Sequence, residues 1–136
     1  MHPKNDKFLV WAQLHYGWVV EQLRGLDAGE LVLIVHWFVL DRYVRSKKPT
    51  YAYEIAWVFQ RDRGTIGNVL ERLEAEGDVV RANSTLGDRR IFYLPKWGDV
   101  ESWFKSTESG ETDDLLSFRK KVHDENCPCM KLVGRW

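Results

Sequence analysis

Two short helical patterns follow one another with almost no linker, and this pairing limits the fold more than any other feature of the sequence. The first pattern, TYAYEIAWVF (50–59), begins with Thr50 as its candidate N-cap. The second pattern, DRGTIGNVLERLEAEG (62–77), opens with Asp62 as its candidate N-cap and ends at Gly77, where a C-terminal cap belongs. Its apolar residues recur at i, i+3, i+4 and i+7: Ile66, Val69, Leu70 and Leu73. Two helices joined this tightly predict a helix-turn-helix.

Two β-like runs follow the second helix, DVVRAN (78–83) and RRIFYL (89–94), and Pro95 ends the second run. A largely apolar helical pattern at 27–45 precedes the pair, so the order is helix, helix, short turn, helix, hairpin, which is that of a winged helix-turn-helix. We place this core at residues 26–95. The expected fold class is mainly α with a small β-hairpin wing.

Further helical patterns flank the core, at 6–24, 97–106 and 112–125. With 136 residues, 44% of them hydrophobic, residues 1–136 have the size of a single domain. The first helix is apolar on more than one side, and a second subunit would cover the extra surface. We therefore expect residues 1–25 and 96–126 to be dimerisation helices and residues 127–136 to be a tail.

Aromatic residues are abundant, with seven Trp, five Tyr and six Phe. Trp11, Trp18 and Trp37 fall close together near the N-terminus. Large rings in such numbers are typical of a core or of an intersubunit surface, because each ring buries a large area. A ligand pocket is the alternative interpretation.

The formal net charge is zero, so composition alone does not indicate a nucleic-acid partner. Residues 42–93 nevertheless carry 10 basic and 7 acidic side chains, which locates a weakly positive surface in the middle of the chain. No apolar run approaches the roughly 20 residues of a membrane span, and the N-terminus lacks the apolar stretch of a signal peptide. We expect a cytoplasmic protein without a membrane partner.

The face of helix 62–77 opposite its apolar stripe is suited to reading double-stranded DNA. Asn can contact adenine and Arg can contact guanine through two hydrogen bonds each, so Asn68 and Arg63 are candidates for base recognition, with Thr65 beside them. Gly67 costs about 1 kcal/mol relative to alanine inside a helix, and the close approach of a phosphate or a base edge would explain it. A solvated face with an accidental glycine is the alternative.

The hairpin supplies further candidates for DNA contact. Asp88 and Arg90 lie two residues apart in a strand and share a face, so the acid can orient the arginine. Arg89 and Arg90 are predicted to contact the minor groove, where the negative potential is enhanced. An exposed ion pair worth roughly 0–1 kcal/mol is the alternative. The candidates for phosphate contacts are Thr50, Arg61 and Arg81.

The run EIAWVFQRDRGTIGNVLERLEAEGDVVR, followed by GDRRIFYL, resembles the MarR family of winged-helix transcription regulators. The resemblance covers about residues 26–94, although Gln60 stands where the family usually has Gly, and Gly64 and Gly67 replace Ser and Thr. It implies a homodimer formed by the terminal helices, a palindromic operator and often a small-molecule or oxidant signal.

The sequence contains few other residues that could form a metal, redox or catalytic site. His123, Cys127 and Cys129 are weak candidates for a metal or redox site, because their spacing is not a standard zinc pattern; a tail with free thiols is the alternative. No catalytic motif is present, so we expect neither an enzyme nor a cofactor. The sequence predicts a dimeric DNA-binding regulator, a repressor. The alternatives are a DNA-organising accessory protein of a mobile element and a winged-helix protein-interaction module.

Overall fold

The computed structural model describes residues 5–22, 28–82 and 90–109, and within them it contains five helices and two strands. In chain order these are α1 Lys7–Gln22, α2 Ala28–Ser46, α3 Ala52–Phe59, α4 Arg63–Ala75, β1 Val79–Arg81, β2 Tyr93–Pro95 and α5 Trp97–Ser109. The predicted mainly α architecture with a small hairpin is confirmed. None of the described helices combines the length and the apolarity needed to cross a membrane. The predicted helix at 112–125 lies outside the described residues.

Helix α2 is the centre of the core, and it contacts α1, α4, α5 and β2. Its Trp37 and Phe38 are fully buried and pack against Tyr16 of α1, with ring centroids 5.6 Å apart in both pairs. Phe59 of α3 joins the same cluster at 5.1 Å from Tyr16. Trp11 is also buried, so two of the three early tryptophans contribute to the core within this one chain.

Helix α4 has the predicted caps and the predicted buried face. The Asp62 side chain accepts a hydrogen bond from the Thr65 backbone N–H at 3.2 Å. At the other end Gly77 has a φ of 80°, and the Asp78 N–H donates to the Leu73 carbonyl at 2.8 Å, which satisfies an orphan acceptor of the last turn. The four apolar residues of the predicted stripe are all buried: Ile66, Val69, Leu70 and Leu73. Local sequence signals thus define this helix completely.

The hairpin is anchored to the start of the helix-turn-helix. Strands β1 and β2 pair antiparallel, with Val79 opposite Pro95 and Arg81 opposite Tyr93. Tyr93 also forms a bridge with Thr50: each backbone N–H donates to the other residue's carbonyl, at 2.7 and 3.1 Å. The prediction that Thr50 caps α3 is therefore wrong. Its backbone is held in the sheet, and Tyr51 occupies the N-cap position without a side-chain cap. These elements form a winged helix-turn-helix.

A buried arginine joins the first three helices. Arg42 of α2, only 3% exposed, donates two hydrogen bonds to the Asp6 carboxylate, at 2.9 and 3.1 Å. The same guanidinium donates to both oxygens of Glu54 in α3, at 3.1 and 3.3 Å. Asp6 in turn accepts from the backbone N–H groups of Phe8 and Leu9 and so caps α1. This Arg42 cluster fixes the start of α1 and the first turn of α3 against the end of α2.

The two carboxylates of the Arg42 cluster respond differently to burial. Burial alone would raise the pKa of Asp6, but the hydrogen bond and the charge of Arg42 outweigh it and lower that pKa. Burial is the stronger effect at Glu54 and raises its pKa despite the same arginine. The two carboxylates share one guanidinium, and the ionised form of Glu54 is less stabilised by it than the ionised form of Asp6.

A second polar contact joins α2 to α5. His36 lies at the edge of the core, with its Nε2 2.8 Å from the Asp99 Oδ2. Asp99 belongs to the first turn of α5, where a carboxylate is favoured by the helix dipole. The contact fixes how α5 leaves the hairpin.

We predict that Glu54→Gln changes the pH dependence of stability. The folded-state pKa of Glu54 lies above its ordinary value of 4.5, so its contribution to stability is complete below about pH 4.5 and is lost as the pH rises through the folded-state pKa. Glutamine cannot ionise and suffers no such loss. The free energy of unfolding of Glu54→Gln, measured by urea denaturation, should therefore rise relative to wild type as the pH increases from about 4.5 to neutrality.

Glu76→Gln is the matched control, because Glu76 pairs with Arg72 at 3.2 Å on the exposed surface. Its stability relative to wild type should change little over the same pH range. A Glu54→Gln advantage that shrinks as the pH rises would contradict the assignment.

Candidate nucleic-acid interface

The outward face of α4 carries three side chains that can contact DNA. Arg63, Thr65 and Asn68 are all exposed, whereas the apolar residues of the same helix are buried. Exposed and buried residues alternate in this way because successive residues of an α-helix are rotated by about 100° around its axis. Arg63 provides a planar set of donors, Thr65 a hydroxyl, and Asn68 an amide with both a donor and an acceptor. All three predicted reading residues are exposed; at about 100° per residue, Asn68 lies on the outward face of α4, and Arg63 and Thr65 lie toward its two opposite edges.

The turn before α4 contains a non-glycine residue in a left-handed conformation. Gln60 has a φ of 56° and a ψ of 47°, and its side-chain amide donates to the Trp57 carbonyl at 2.7 Å. The Arg61 N–H donates to the Ala56 carbonyl at 3.1 Å, which ends α3. Glycine adopts this left-handed conformation most readily, and here it is reached with glutamine. Arg61 is left exposed beside the start of α4.

Arg90 lies at the base of the hairpin against two aromatic rings. Its guanidinium carbon is 4.8 Å from the centroid of Tyr51 and 5.0 Å from that of Phe92. These two rings meet edge to face at 5.0 Å. Contact with aromatic faces limits the rotamers that the Arg90 guanidinium can adopt. In the sequence Asp88 is the residue predicted to orient Arg90, and it lies outside the described residues, as does Arg89.

A second arginine–aromatic contact stands beside the first. The Arg63 guanidinium carbon lies 5.9 Å from the centroid of Tyr53, and Tyr53 stacks against Tyr51 with centroids 6.5 Å apart. The rings thus connect the first residue of α4 to the base of the hairpin. We call Arg63, Tyr53, Tyr51 and Arg90 the arginine–tyrosine row.

An open groove of about 660 Å³ lies between α4 and the hairpin, along this row. We call it the α4–hairpin groove; its lining includes Tyr51, Tyr53, Arg63, Gly67, Glu71 and Arg90. The tyrosines were not predicted as part of the site. Two tyrosines two residues apart, immediately before a helix, were the signal in the sequence that could have indicated them.

Two of the predicted phosphate contacts have other roles in the structure. Thr50 is fully buried, and its hydroxyl has no hydrogen-bond partner, so it cannot reach a phosphate; this prediction is wrong. The exposed guanidinium of Arg81 lies 2.8 Å from the carboxylate of Glu74, and the hydrogen bond and charge of that acid raise the pKa of Arg81. The positive charge of Arg81 is therefore already compensated within the protein.

The described residues contain no group of three or more His, Cys, Asp or Glu side chains suited to a metal ion. The weak candidates for such a site, His123, Cys127 and Cys129, lie outside those residues. They remain predictions from the sequence.

No protein-family model and no curated protein matches the chain. Solved structures with a similar fold include a probable transcriptional regulator from Pseudomonas aeruginosa, 18% identical over 82% of this chain and 70% of its own, with a TM-score of 0.46. A MarR-like transcriptional regulator from Thermotoga maritima is 22% identical over 85% and 74%, with a TM-score of 0.42. The chain spans 65% of the heme sensor PefR from Streptococcus agalactiae at 17% identity, with 62% of this chain covered and a TM-score of 0.38. A likeness of this degree assigns no function to the chain.

We predict that Gln60→Gly raises the free energy of unfolding by about 1 kcal/mol. A residue with a Cβ loses roughly 1–2 kcal/mol in the left-handed region, and glycine recovers most of this despite its larger loss of chain entropy. Urea denaturation at neutral pH measures the change. Gln60→Ala is the control, because it removes the same side-chain hydrogen bond but keeps the Cβ. Equal stability of the glycine and alanine variants would show that the backbone at Gln60 is not strained.

Proposed function

We propose that the chain is a transcription regulator that binds double-stranded DNA, with α4 in the major groove and the hairpin at the adjacent minor groove. The observation that carries the proposal is the position of Arg63, Thr65 and Asn68. All three project from an exposed helix whose opposite face is locked into the core, next to a hairpin with Arg90 at its base. A major groove about 12 Å wide admits one helix, and a rigid helix can place side chains against base edges.

The local charges support this orientation. Among the described residues, neither Arg61 nor Arg63 has a carboxylate within 4.0 Å, so both guanidinium groups are available to phosphates. By contrast, Arg72 and Arg81 are paired with acids on the same surface. A few uncompensated arginines around the reading helix are sufficient for phosphate contacts in a protein with no net charge.

A homodimer is the second part of the proposal. Val10 and Leu14 are 39% and 47% exposed, and they lie one turn apart on the same face of α1. A second copy of the chain would bury this apolar face and present two α4 helices to a palindromic site. A dimer bound across a promoter would act as a repressor. A small-molecule effector that changes the spacing of the two helices would control it.

Binding of labelled duplex DNA tests the proposal, with salt dependence separating phosphate contacts from base contacts. We predict that Arg61→Ala weakens binding to every duplex and lowers the slope of log affinity against log salt by about 1. Asn68→Ala should instead remove about 1–3 kcal/mol of preference for a duplex selected by wild type from a random pool. Fluorescence anisotropy of the full chain measures both quantities.

Arg72→Ala is the control, because Arg72 is an exposed arginine of the same helix that is already paired with Glu76. Its effect on affinity and on the salt slope should be smaller than that of Arg61→Ala. If wild type binds no duplex at low salt, the DNA-binding proposal is wrong, and a protein-interaction module becomes the better hypothesis. If it binds all sequences equally, a DNA-organising role replaces regulation.

A further inference from the structure

We propose that Tyr51 and Tyr53 are positioning residues for DNA binding, because their rings hold the guanidinium groups of Arg90 and Arg63 in place before DNA binds. This inference rests on the proposed function, in which these two arginines contact DNA. It goes beyond that function, since it assigns a role to two side chains that act through the arginines and not by touching DNA. The arginine–tyrosine row then fixes the two cations relative to each other.

Tyr51 occupies a position that other residues suit better. It is the N-cap of α3, with an extended backbone (φ −142°, ψ 165°), and its side chain makes no capping hydrogen bond. Ser, Thr, Asp and Asn are preferred at an N-cap because their side chains accept a hydrogen bond from the first turn of the helix. The stability of α3 therefore does not explain a tyrosine here. Its ring instead contacts Arg90 and Phe92.

The main chain fixes the place where Arg90 is held. Thr50 and Tyr93 exchange two backbone hydrogen bonds, at 3.1 and 2.7 Å. In this antiparallel register Tyr51 stands opposite Phe92, and their rings meet edge to face at 5.0 Å. The Arg90 guanidinium carbon lies 4.8 Å from the Tyr51 centroid and 5.0 Å from the Phe92 centroid. A guanidinium against two rings of fixed position has fewer accessible rotamers than one in solvent.

Tyr53 extends the same arrangement to α4. Its ring stacks on that of Tyr51, with an interplanar angle of 16°, and the Arg63 guanidinium carbon lies 5.9 Å from its centroid. Tyr53 is 41% exposed, so burial in the core does not account for its ring. Among the described residues no carboxylate lies within 4.0 Å of Arg63, so the ring of Tyr53 is the contact that restrains this cation.

A long cationic side chain that is already held in place binds DNA at a lower cost in entropy. An arginine loses rotamer freedom when a phosphate or a base edge fixes it, and this loss opposes association. An arginine that a ring already restrains loses less. The tyrosines therefore raise affinity without adding a contact to DNA, and the number of phosphate contacts is the same with or without them.

The test is a double-mutant cycle between Tyr53 and Arg63 in the full chain, measured by fluorescence anisotropy with a fluorescein-labelled mixed-sequence duplex across a salt series. Tyr53→Leu removes the ring but keeps an apolar side chain. We expect it to weaken binding about fivefold with an unchanged slope of log affinity against log salt, because the phosphate contacts remain. In the Arg63→Ala background the same substitution should change affinity by less than about twofold, because the group that the ring positions is absent.

Two controls accompany this cycle. Tyr53→Phe keeps the ring and removes only the hydroxyl, so it should bind like wild type. Arg61 is also exposed near the start of α4, but among the described residues its guanidinium contacts no aromatic ring. Tyr53→Leu should therefore keep its full effect in the Arg61→Ala background. Thermal melting of each variant verifies that it is folded.

A measurement without DNA tests the positioning itself. The order parameter of the Arg63 Nε–H bond, obtained from NMR relaxation of the free protein, should fall in Tyr53→Leu while that of Arg61 stays the same. Tyr51→Leu tests the second pair, and it should lower the order parameter of the Arg90 Nε–H bond in the same way.

Wild-type affinity in Tyr53→Leu, while Arg61→Ala still weakens binding, overturns the positioning role and leaves the DNA-binding proposal intact. An Arg63 order parameter that loss of the ring does not change has the same consequence. A loss of affinity that persists undiminished in the Arg63→Ala background also overturns the positioning role, because the ring then acts on DNA or on the fold directly. A wild-type protein that binds no duplex at low salt overturns the positioning role together with the proposed function.

Discussion

The Arg42 cluster is the interaction on which the arrangement of the helices depends. One buried guanidinium is shared between Asp6, which caps α1, and Glu54, in the first turn of α3. Removing a cation from such a site leaves buried carboxylates without compensation, which is among the most destabilising changes in proteins. The orientation of α3, and with it the direction in which α4 projects, is therefore set by a charge on α2.

Two local backbone features connect α3 to the candidate interface. Gln60 turns the chain in a left-handed conformation so that Asp62 can cap α4. Thr50 pairs with Tyr93 and fixes the hairpin beside the start of the same unit. Two surfaces that are distant in sequence, α4 and the base of the hairpin, thus form the walls of one groove. Tyr51 and Tyr53 lie between these two surfaces and connect Arg63 to Arg90 in the arginine–tyrosine row.

Sequence reasoning worked where the signal is local and failed where it is not. The caps and the buried stripe of α4 follow from residue types at fixed spacing, and all are found as predicted. A threonine before a helix is typical of an N-cap, which is why the sequence predicts that Thr50 caps α3. That prediction is wrong because the backbone of Thr50 pairs with Tyr93 in the sheet. The ion pair between Arg81 and Glu74 joins two different elements, so no local pattern predicts it. In the Arg42 cluster, the hydrogen bond between Arg42 and Asp6 joins residues 36 positions apart, and no periodicity predicts such a contact.

The most direct test of the central claim, that α4 and the base of the hairpin form a DNA-binding surface, is a titration of isotope-labelled protein with a mixed-sequence DNA duplex, followed by backbone amide chemical shifts. Our account predicts the largest shifts at residues 61–71 and 90–93, and small shifts along the exposed face of α1. Shifts confined to α1, or none at saturating duplex and low salt, would contradict it.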